Sequence, residues 1–303
     1  MFWLFRFFSF WPLAALHALG GALGWAVWAF SAGYRERFRH NCAQAGVPFA
    51  AAKPAIAEAG RFVAELPKLW LRPFDASCLG NVKLIGREIA IDAFAQGKGV
   101  IFFGPHCGSF ELGPQALAEV FGPRYGAITA IYRPARQPWL AAIELATRQR
   151  PQLKVLPASL SAIKAMHKAL KAGRAVALLT DQVPPEGLGM WAPFFGKPAY
   201  TMTLAARLAL QTGATLLPVS CERLPKGRGY VVKIRPAVNS YPTNAPANPD
   251  LLSTVTHINQ AIEAIVLSQP DQYLWGYARY KTPRIDLPRQ ESPGLQTAKK
   301  DAV

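Results

Sequence analysis

The stretch GVIFFGPHCGSFELGPQAL, residues 99–117, decides how the chain is read. Its first half is a short, continuously apolar run that breaks off at Pro105 and delivers His106, Cys107 and Glu111 within six residues. An apolar run of this length, bounded by glycines, is what a strand covered on both faces looks like. The same order of helix, glycine and apolar strand recurs in AIDAFAQGKGVIFFG (90–104), MHKALKAGRAVALLT (166–180) and LAARLALQTGATLLPVS (204–220). In each, a glycine just past the helical run can take the left-handed conformation that ends a helix. GAITAIYRP, LKVLP and GYVVKIRPAV add three strands. The alternation predicts an α/β fold, a mostly parallel or mixed sheet flanked by helices.

Individual helices follow from the same logic. Ser159 or Ser161 can cap a helix reaching Ala172, with Ile163, Met166 and Leu170 as its apolar stripe. Residues 253–267 read as another helix. Pro114 places the start of the helix after His106 near Gly113 rather than at Ser109. Residues 34–85 read as short helices broken at Pro48, Pro54, Pro67 and Pro73, and the polar stretch from about Pro283 reads as a disordered tail. The expected organisation is a membrane-anchor helix over 1–33, a single α/β domain over 34–283 and a tail over 284–303.

Thirty-four Lys and Arg against 18 Asp and Glu give a net charge of +16, which attracts anionic partners. The basic residues are scattered, and no nucleic-acid module is recognisable, so no nucleic-acid partner is expected. Cys42, Cys78, Cys107 and Cys221 form neither a CxxC pair nor a zinc-spaced cluster, which removes metal and disulfide-framework readings and points to a reducing compartment. The 24 residues Phe7 to Phe30 carry no Asp, Glu, Lys or Arg, and His17 is their only ionisable side chain. As a helix they reach roughly 36 Å, enough to cross a hydrocarbon core of about 30 Å. Arg35, Arg37 and Arg39 stand where a signal peptide would be cleaved, which favours an uncleaved anchor with the bulk of the chain in the cytoplasm. Aromatic residues crowd both ends of the run, and a helix lying in one interface is the other possibility.

Ligands of open α/β sheets collect at the carboxyl ends of the strands. His106, Asp181 and Arg133 each leave such an end, and together they make a better candidate site than any one alone. Glu111 can fold back across a turn to accept a hydrogen bond from one imidazole nitrogen of His106, raising the basicity of the other. A partly buried, satisfied histidine is the bland alternative. Cys107 as an acyl-enzyme nucleophile is a second enzymatic reading, weakened because neighbours leaving a strand point to opposite sides. A basic membrane-associated protein that binds anionic lipid or nucleic acid without chemistry is a third.

HCGSFE, set after GKGVIFFG, resembles the HxxxxD/E motif of the lysophospholipid-type acyltransferases. IYRPARQP (131–138), DQVPPEGLGMWAPFFGKPAYT (181–201), TGATLLPV (212–219) and YLWGYARYKTP (273–283) follow the order and spacing of one branch, the late or secondary lipid A biosynthesis acyltransferases. The resemblance covers about residues 1–283. It implies a glycerol-phosphate-acyltransferase-like fold and transfer of a fatty acyl chain from acyl carrier protein to a hydroxyl of a lipid A precursor. The place implied is the cytoplasmic face of the inner membrane, among membrane lipids. No cofactor or metal is implied beyond the carrier-protein thioester as donor. Carried over by motif, His106 is the general base and Glu111 its partner. Arg133 and Arg148 are expected to hold phosphate or stabilise charge, and Asp181 to orient an arginine or contact the sugar. Phe194, Phe195 and Gly196 are expected to line the acyl groove or shape a loop over it. Pro105 replaces an Asn common in the family, and Tyr277-Ala278 a His-Arg pair, which leaves another glycolipid or aminolipid acceptor open. No stretch reads as a ruler of acyl chain length.

Overall fold

A computed structural model describes residues 2–135, 137–238 and 250–284. The chain opens with five helices, α1 (Phe2–Ser9), α2 (Leu13–Phe30), α3 (Ala32–Gln44), α4 (Phe49–Ala52) and α5 (Ala55–Trp70). Strands and helices then alternate: β1 (Val82–Ile85), α6 (Arg87–Ala95), β2 (Val100–Gly104), α7 (Gly113–Tyr125), β3 (Ile128–Tyr132), α8 (Pro138–Thr147), β4 (Leu153–Pro157), α9 (Leu160–Lys171) and β5 (Ala175–Leu179). A hairpin of β6 (Gly189–Phe194) and β7 (Lys197–Met202) leads to α10 (Leu204–Thr212), β8 (Thr215–Arg223), β9 (Tyr230–Ile234) and α11 (Leu251–Ser268). Seven strands form one sheet in the order β1-β9-β8-β2-β5-β3-β4, parallel throughout except between β8 and β9.

The sheet is the middle of three layers. Successive strand residues point to opposite faces, so Val100 and Phe102 of β2 enter one core with Phe94 of α6 and Phe121 of α7. Ile101 and Phe103 enter the other, with Met166 of α9, Leu208 of α10 and Ile258 of α11. All five residues of β2 are buried, which is why the strand reads as an unbroken apolar run. Gly173 and Gly213 take φ of 71° and 72° just past α9 and α10, the left-handed termination expected there. Ser159 caps α9 through the amide of Ala162.

One expectation meets a different structure. Pro67 does not break α5, which continues to Trp70. It sits in the last turn, where one missing amide costs a single hydrogen bond while Leu69 and Trp70 gain burial. Phe194, Phe195 and Gly196, expected to line the acyl groove or shape a loop over it, belong to the β6–β7 hairpin, closed by Phe195 and Gly196 with φ of 47° and 72°, the paired positive values of a type I′-like turn. Its strand propensity is masked by prolines and glycines. The expected tail, apart from Arg284, lies outside the described residues.

The apolar helix α2 is docked along α5. Gly20 and Gly24 face Gly60, and a Cβ at Gly24 would lie 2.2 Å from the Ile56 carbonyl oxygen, so the backbones touch. In the middle of this seam His17 Nε2 pairs with Glu65 Oε2 at 3.0 Å. Glu65 is fully buried and also receives Arg223 of β8 at 2.9 and 2.7 Å and the Tyr230 hydroxyl at 3.1 Å. Burial pushes the Glu65 carboxyl up, but the Arg223 charge and the hydrogen bonds from Arg223 and His17 outweigh it and hold it at about 2. A carboxyl depressed on folding stabilises above its unfolded value and loses that contribution as pH falls through the folded one. Glu65→Gln is therefore expected to lose about 3 kcal/mol at neutral pH, because buried Arg223 loses one of its two counter-charges and keeps only Glu58. Its melting temperature should then fall less steeply than that of the unsubstituted chain between about pH 4.5 and pH 2 in calorimetric scans.

Candidate active site

Parallel β2 and β5 are neighbours in register, with Gly104 opposite Leu179. Two residues past each end, His106 and Asp181 meet. Asp181 Oδ1 accepts from the His106 Nδ1–H at 2.6 Å, and Oδ2 accepts from the His106 backbone N–H at 3.0 Å. An ionised carboxylate only accepts, so the proton sits on Nδ1 and Nε2 keeps its lone pair when the ring is neutral. Asp181 is 3% exposed. Burial alone would raise its carboxyl, but the imidazole charge, the two hydrogen bonds from His106 and the positive charge of Arg279 hold it below the ordinary carboxylate range.

The loop bearing His106 is clamped from two sides. Ser109 N–H donates to the Cys221 carbonyl of β8 at 2.8 Å, and Gly108 N–H to the Gln272 carbonyl at 3.0 Å. Leu274 N–H donates to the His106 carbonyl at 3.2 Å. Gly108 has φ of 59°, and a Cβ there would fall 2.1 Å from the Cys221 oxygen, so this position needs glycine.

The hydrogen bond expected between Glu111 and His106 is not formed. A turn closed by Leu112 N–H on the Ser109 carbonyl carries Glu111 toward the ends of α5 and α8. There Oε1 accepts from Arg148 Nη2 at 2.7 Å and Oε2 from Trp70 Nε1 at 3.1 Å. Asp181, in register with the histidine, takes Nδ1 instead, and it also lies in the field of Arg279. Arg148 lies between two rings, 4.9 Å from the Trp70 centroid and 4.7 Å from that of Tyr132. Its side chain is only 13% exposed, so it is no solvated helix end. Phe110 ties the histidine to α5: its ring meets the imidazole edge-on at 4.6 Å and stacks on Phe62 at 4.2 Å.

The remaining expected residues lie differently. Arg133 is exposed just beyond β3. Phe195 donates its N–H to Glu263 of α11 at 2.7 Å and accepts from Gln44 of α3 at 2.8 Å, so the Phe195-Gly196 turn is fastened to those helices rather than to His106. Phe194 is buried beneath Arg279, 4.7 Å from its guanidinium. Trp70 and Arg279 escape a reading by motif chemistry. Trp70 carries no signal beyond an aromatic at the end of a helix. Arg279 belongs to YLWGYARYKTP, whose Leu274 makes one bond of the clamp on the histidine loop, and that motif is the signal that could have found it.

Cys107 is fully enclosed, its thiol 3.7 Å from Gln269 Oε1, and burial pushes that thiol far above its ordinary value. Nothing activates it as a nucleophile. All four cysteines are buried and unpaired. The native chain is accordingly expected to leave a thiol-reactive disulfide reagent unconsumed over minutes, and to consume four equivalents after denaturation.

A histidine held by a buried carboxylate at the carboxyl edge of a parallel sheet, beside an arginine locked between aromatic rings, is equipment for group transfer by general base catalysis. The chain belongs to the bacterial lipid A biosynthesis acyltransferase family, which it matches over residues 2–282. It is 30% identical over 224 residues to a lipid A biosynthesis lauroyltransferase of Escherichia coli (strain K12), covering 74% of this chain and 69% of that protein. It is 28% identical over 210 residues to a lipid A biosynthesis palmitoleoyltransferase of the same organism, covering 69% and 62% of the two chains. A phosphatidylinositol mannoside acyltransferase of Mycobacterium tuberculosis (strain ATCC 25618 / H37Rv) is 27% identical over 216 residues, covering 67% and 66%. The chain thus spans about two thirds of the length of these relatives.

Proposed function

We propose that this chain moves a fatty acyl group from an acyl carrier protein thioester to a hydroxyl of a lipid A precursor, at the cytoplasmic face of the inner membrane. The observation that carries the mechanism is the 2.6 Å bond from His106 Nδ1 to buried Asp181. It fixes the tautomer and leaves Nε2 as the base. Nε2 takes the proton of the acceptor hydroxyl as that oxygen attacks the thioester carbonyl. The tetrahedral oxyanion collapses, the carbon–sulfur bond breaks, and the imidazolium returns the proton to the departing carrier thiol. Asp181 stays ionised and stabilises the imidazolium formed between the two steps.

Glu111 takes part through Arg148. Its carboxylate and the Trp70 and Tyr132 rings hold the guanidinium in one orientation, where a planar fork of donors can bind the oxyanion or an acceptor phosphate. Arg133, at the neighbouring strand end, offers a second positive charge to a phosphorylated acceptor. The net charge of +16 suits both anionic substrates and the acidic carrier protein. Phe62 and Phe110, stacked beside the imidazole, offer the apolar surface an acyl chain needs. The similarity to a phosphatidylinositol mannoside acyltransferase supports a second reading, with the same chemistry directed at another glycolipid.

Purified full-length protein given acyl carrier protein thioester and lipid A precursor is expected to yield a product heavier by one acyl chain in mass spectrometry. His106→Ala should reduce that rate roughly 10²–10⁴-fold with melting temperature and membrane association unchanged. Full activity in this variant would sink the mechanism. Asp181→Asn should fall by about 10²-fold or more, since the amide can stabilise the wrong tautomer. Glu111→Gln combined with Arg148→Lys should lose no more than the worse of the two single variants, because the pair acts as a unit.

A further inference from the structure

The exposed side of the N-terminal helices is the largest feature the chemistry leaves unused. Along α1 it presents Phe2, Trp3, Leu4 and Phe7, and along α2 it presents Leu19, Leu23, Trp25, Val27 and Phe30. By length and composition α2 could cross a membrane. Its packing says otherwise. Eighteen residues span about 27 Å, and both ends rest on the same α/β domain. At the start, a Cβ at Gly227, in the turn after β8, would lie 2.6 Å from the Ala14 amide nitrogen. At the end, Trp28 packs on Phe38 at 5.3 Å and on Phe49 at 5.6 Å, and Phe38 packs on Trp275. A spanning helix would carry those two ends to opposite sides of a bilayer.

The inner side of α2 argues the same way. It lies on α5, which bears Glu58, Arg61, Glu65 and Lys68 along its length. Arg61 Nε donates to the His17 carbonyl at 3.3 Å, and Lys68 Nζ to the Trp11 carbonyl at 2.9 Å. If α2 crossed the hydrocarbon, this charged partner would have to cross beside it, which is costly for groups that stay partly exposed.

We propose that α1 and α2 lie flat in one leaflet of a bilayer containing anionic phospholipid, as a monotopic surface that does not span it. Charge and composition select the lipid. Cations border the apolar face and stack on its rings: Arg6 over Phe10 at 5.8 Å, Lys53 over Trp25 at 5.8 Å, Arg39 over Trp28 at 5.4 Å. Aromatic rings beside cations at the edge of an apolar face suit the boundary between headgroups and acyl chains. The inner side of α1 reaches the candidate active site, because partly buried Phe5 packs on Trp70 at 5.9 Å, and Trp70 donates to Glu111. The placement holds whatever the acceptor, and its test does not read activity.

The full chain, with an epitope fused before Met1 and the substitution Ala32→Cys, is expressed in bacteria. Antibody and a membrane-impermeant maleimide are then applied to right-side-out spheroplasts and to inverted inner-membrane vesicles. The native cysteines are buried and give no background. The epitope and the introduced thiol are expected to be reached from the same side only. Access to one from each side would overturn the proposal. In a second arm, Leu23→Glu/Val27→Glu, on exposed positions, is expected to melt within a few degrees of the parent chain. It should bind vesicles of phosphatidylethanolamine and phosphatidylglycerol at least tenfold more weakly. Unchanged vesicle binding would overturn the proposal, as would a parent chain that forms a dimer in sedimentation through this face and loses vesicle binding on doing so.

Discussion

Glu65 has no access to solvent, and a carboxylate in that position is tolerable only if every lone pair is answered. Arg223, His17 and Tyr230 answer it from three separate parts of the chain. The consequence is positional. Arg223 closes β8, so α5 cannot slide along the sheet, and His17 fixes α2 upon α5. One more turn along α5, Trp70 arrives beside Glu111 because Glu65 is where it is. Arg223 also reaches Glu58 on the preceding turns, so the guanidinium spans two carboxylates of one helix. A pair of this kind is expensive to desolvate and contributes little net stability over an apolar replacement. What it supplies here is a single relative position for helix, sheet and site.

The candidate site draws its order from the sheet as well. Equal overhang beyond Gly104 and Leu179 brings His106 and Asp181 together without any long loop having to find its place. Glu111 is then available for a different task, holding Arg148 against two aromatic faces. Two carboxylates close to one histidine loop thus serve two different partners, an imidazole and a guanidinium.

The scaffold was written plainly in the residues. Helix, glycine and apolar strand recur because strands covered on both faces are apolar along their buried length, as in 100–104, 175–179 and the 216–219 part of β8. His106, Asp181 and Arg133 could be placed at neighbouring strand ends for the same reason. The partner of the histidine could not be read correctly from spacing. HxxxxE puts Glu111 close in sequence, whereas the contact with Asp181 depends on β5 lying beside β2, a fact of strand order that local pattern does not carry. Pro67 and the prolines of the β6–β7 hairpin misled for a related reason. Proline penalises a backbone hydrogen bond, and where the tertiary fold needs none at that position the penalty disappears. The docking of α2 on α5 was hidden because an apolar run with three glycines carries no sign of its partner helix.

The contact between Glu65 and Arg223 joins residues 158 apart in the chain. At a synthesis rate of about 5–20 residues per second, some 10–30 seconds pass between the emergence of the two. During that interval α2 and α5 are already made, with a buried-to-be carboxylate and a broad apolar face but no sheet to rest on. The N-terminal helices are therefore made well before the strand that locks them onto the sheet.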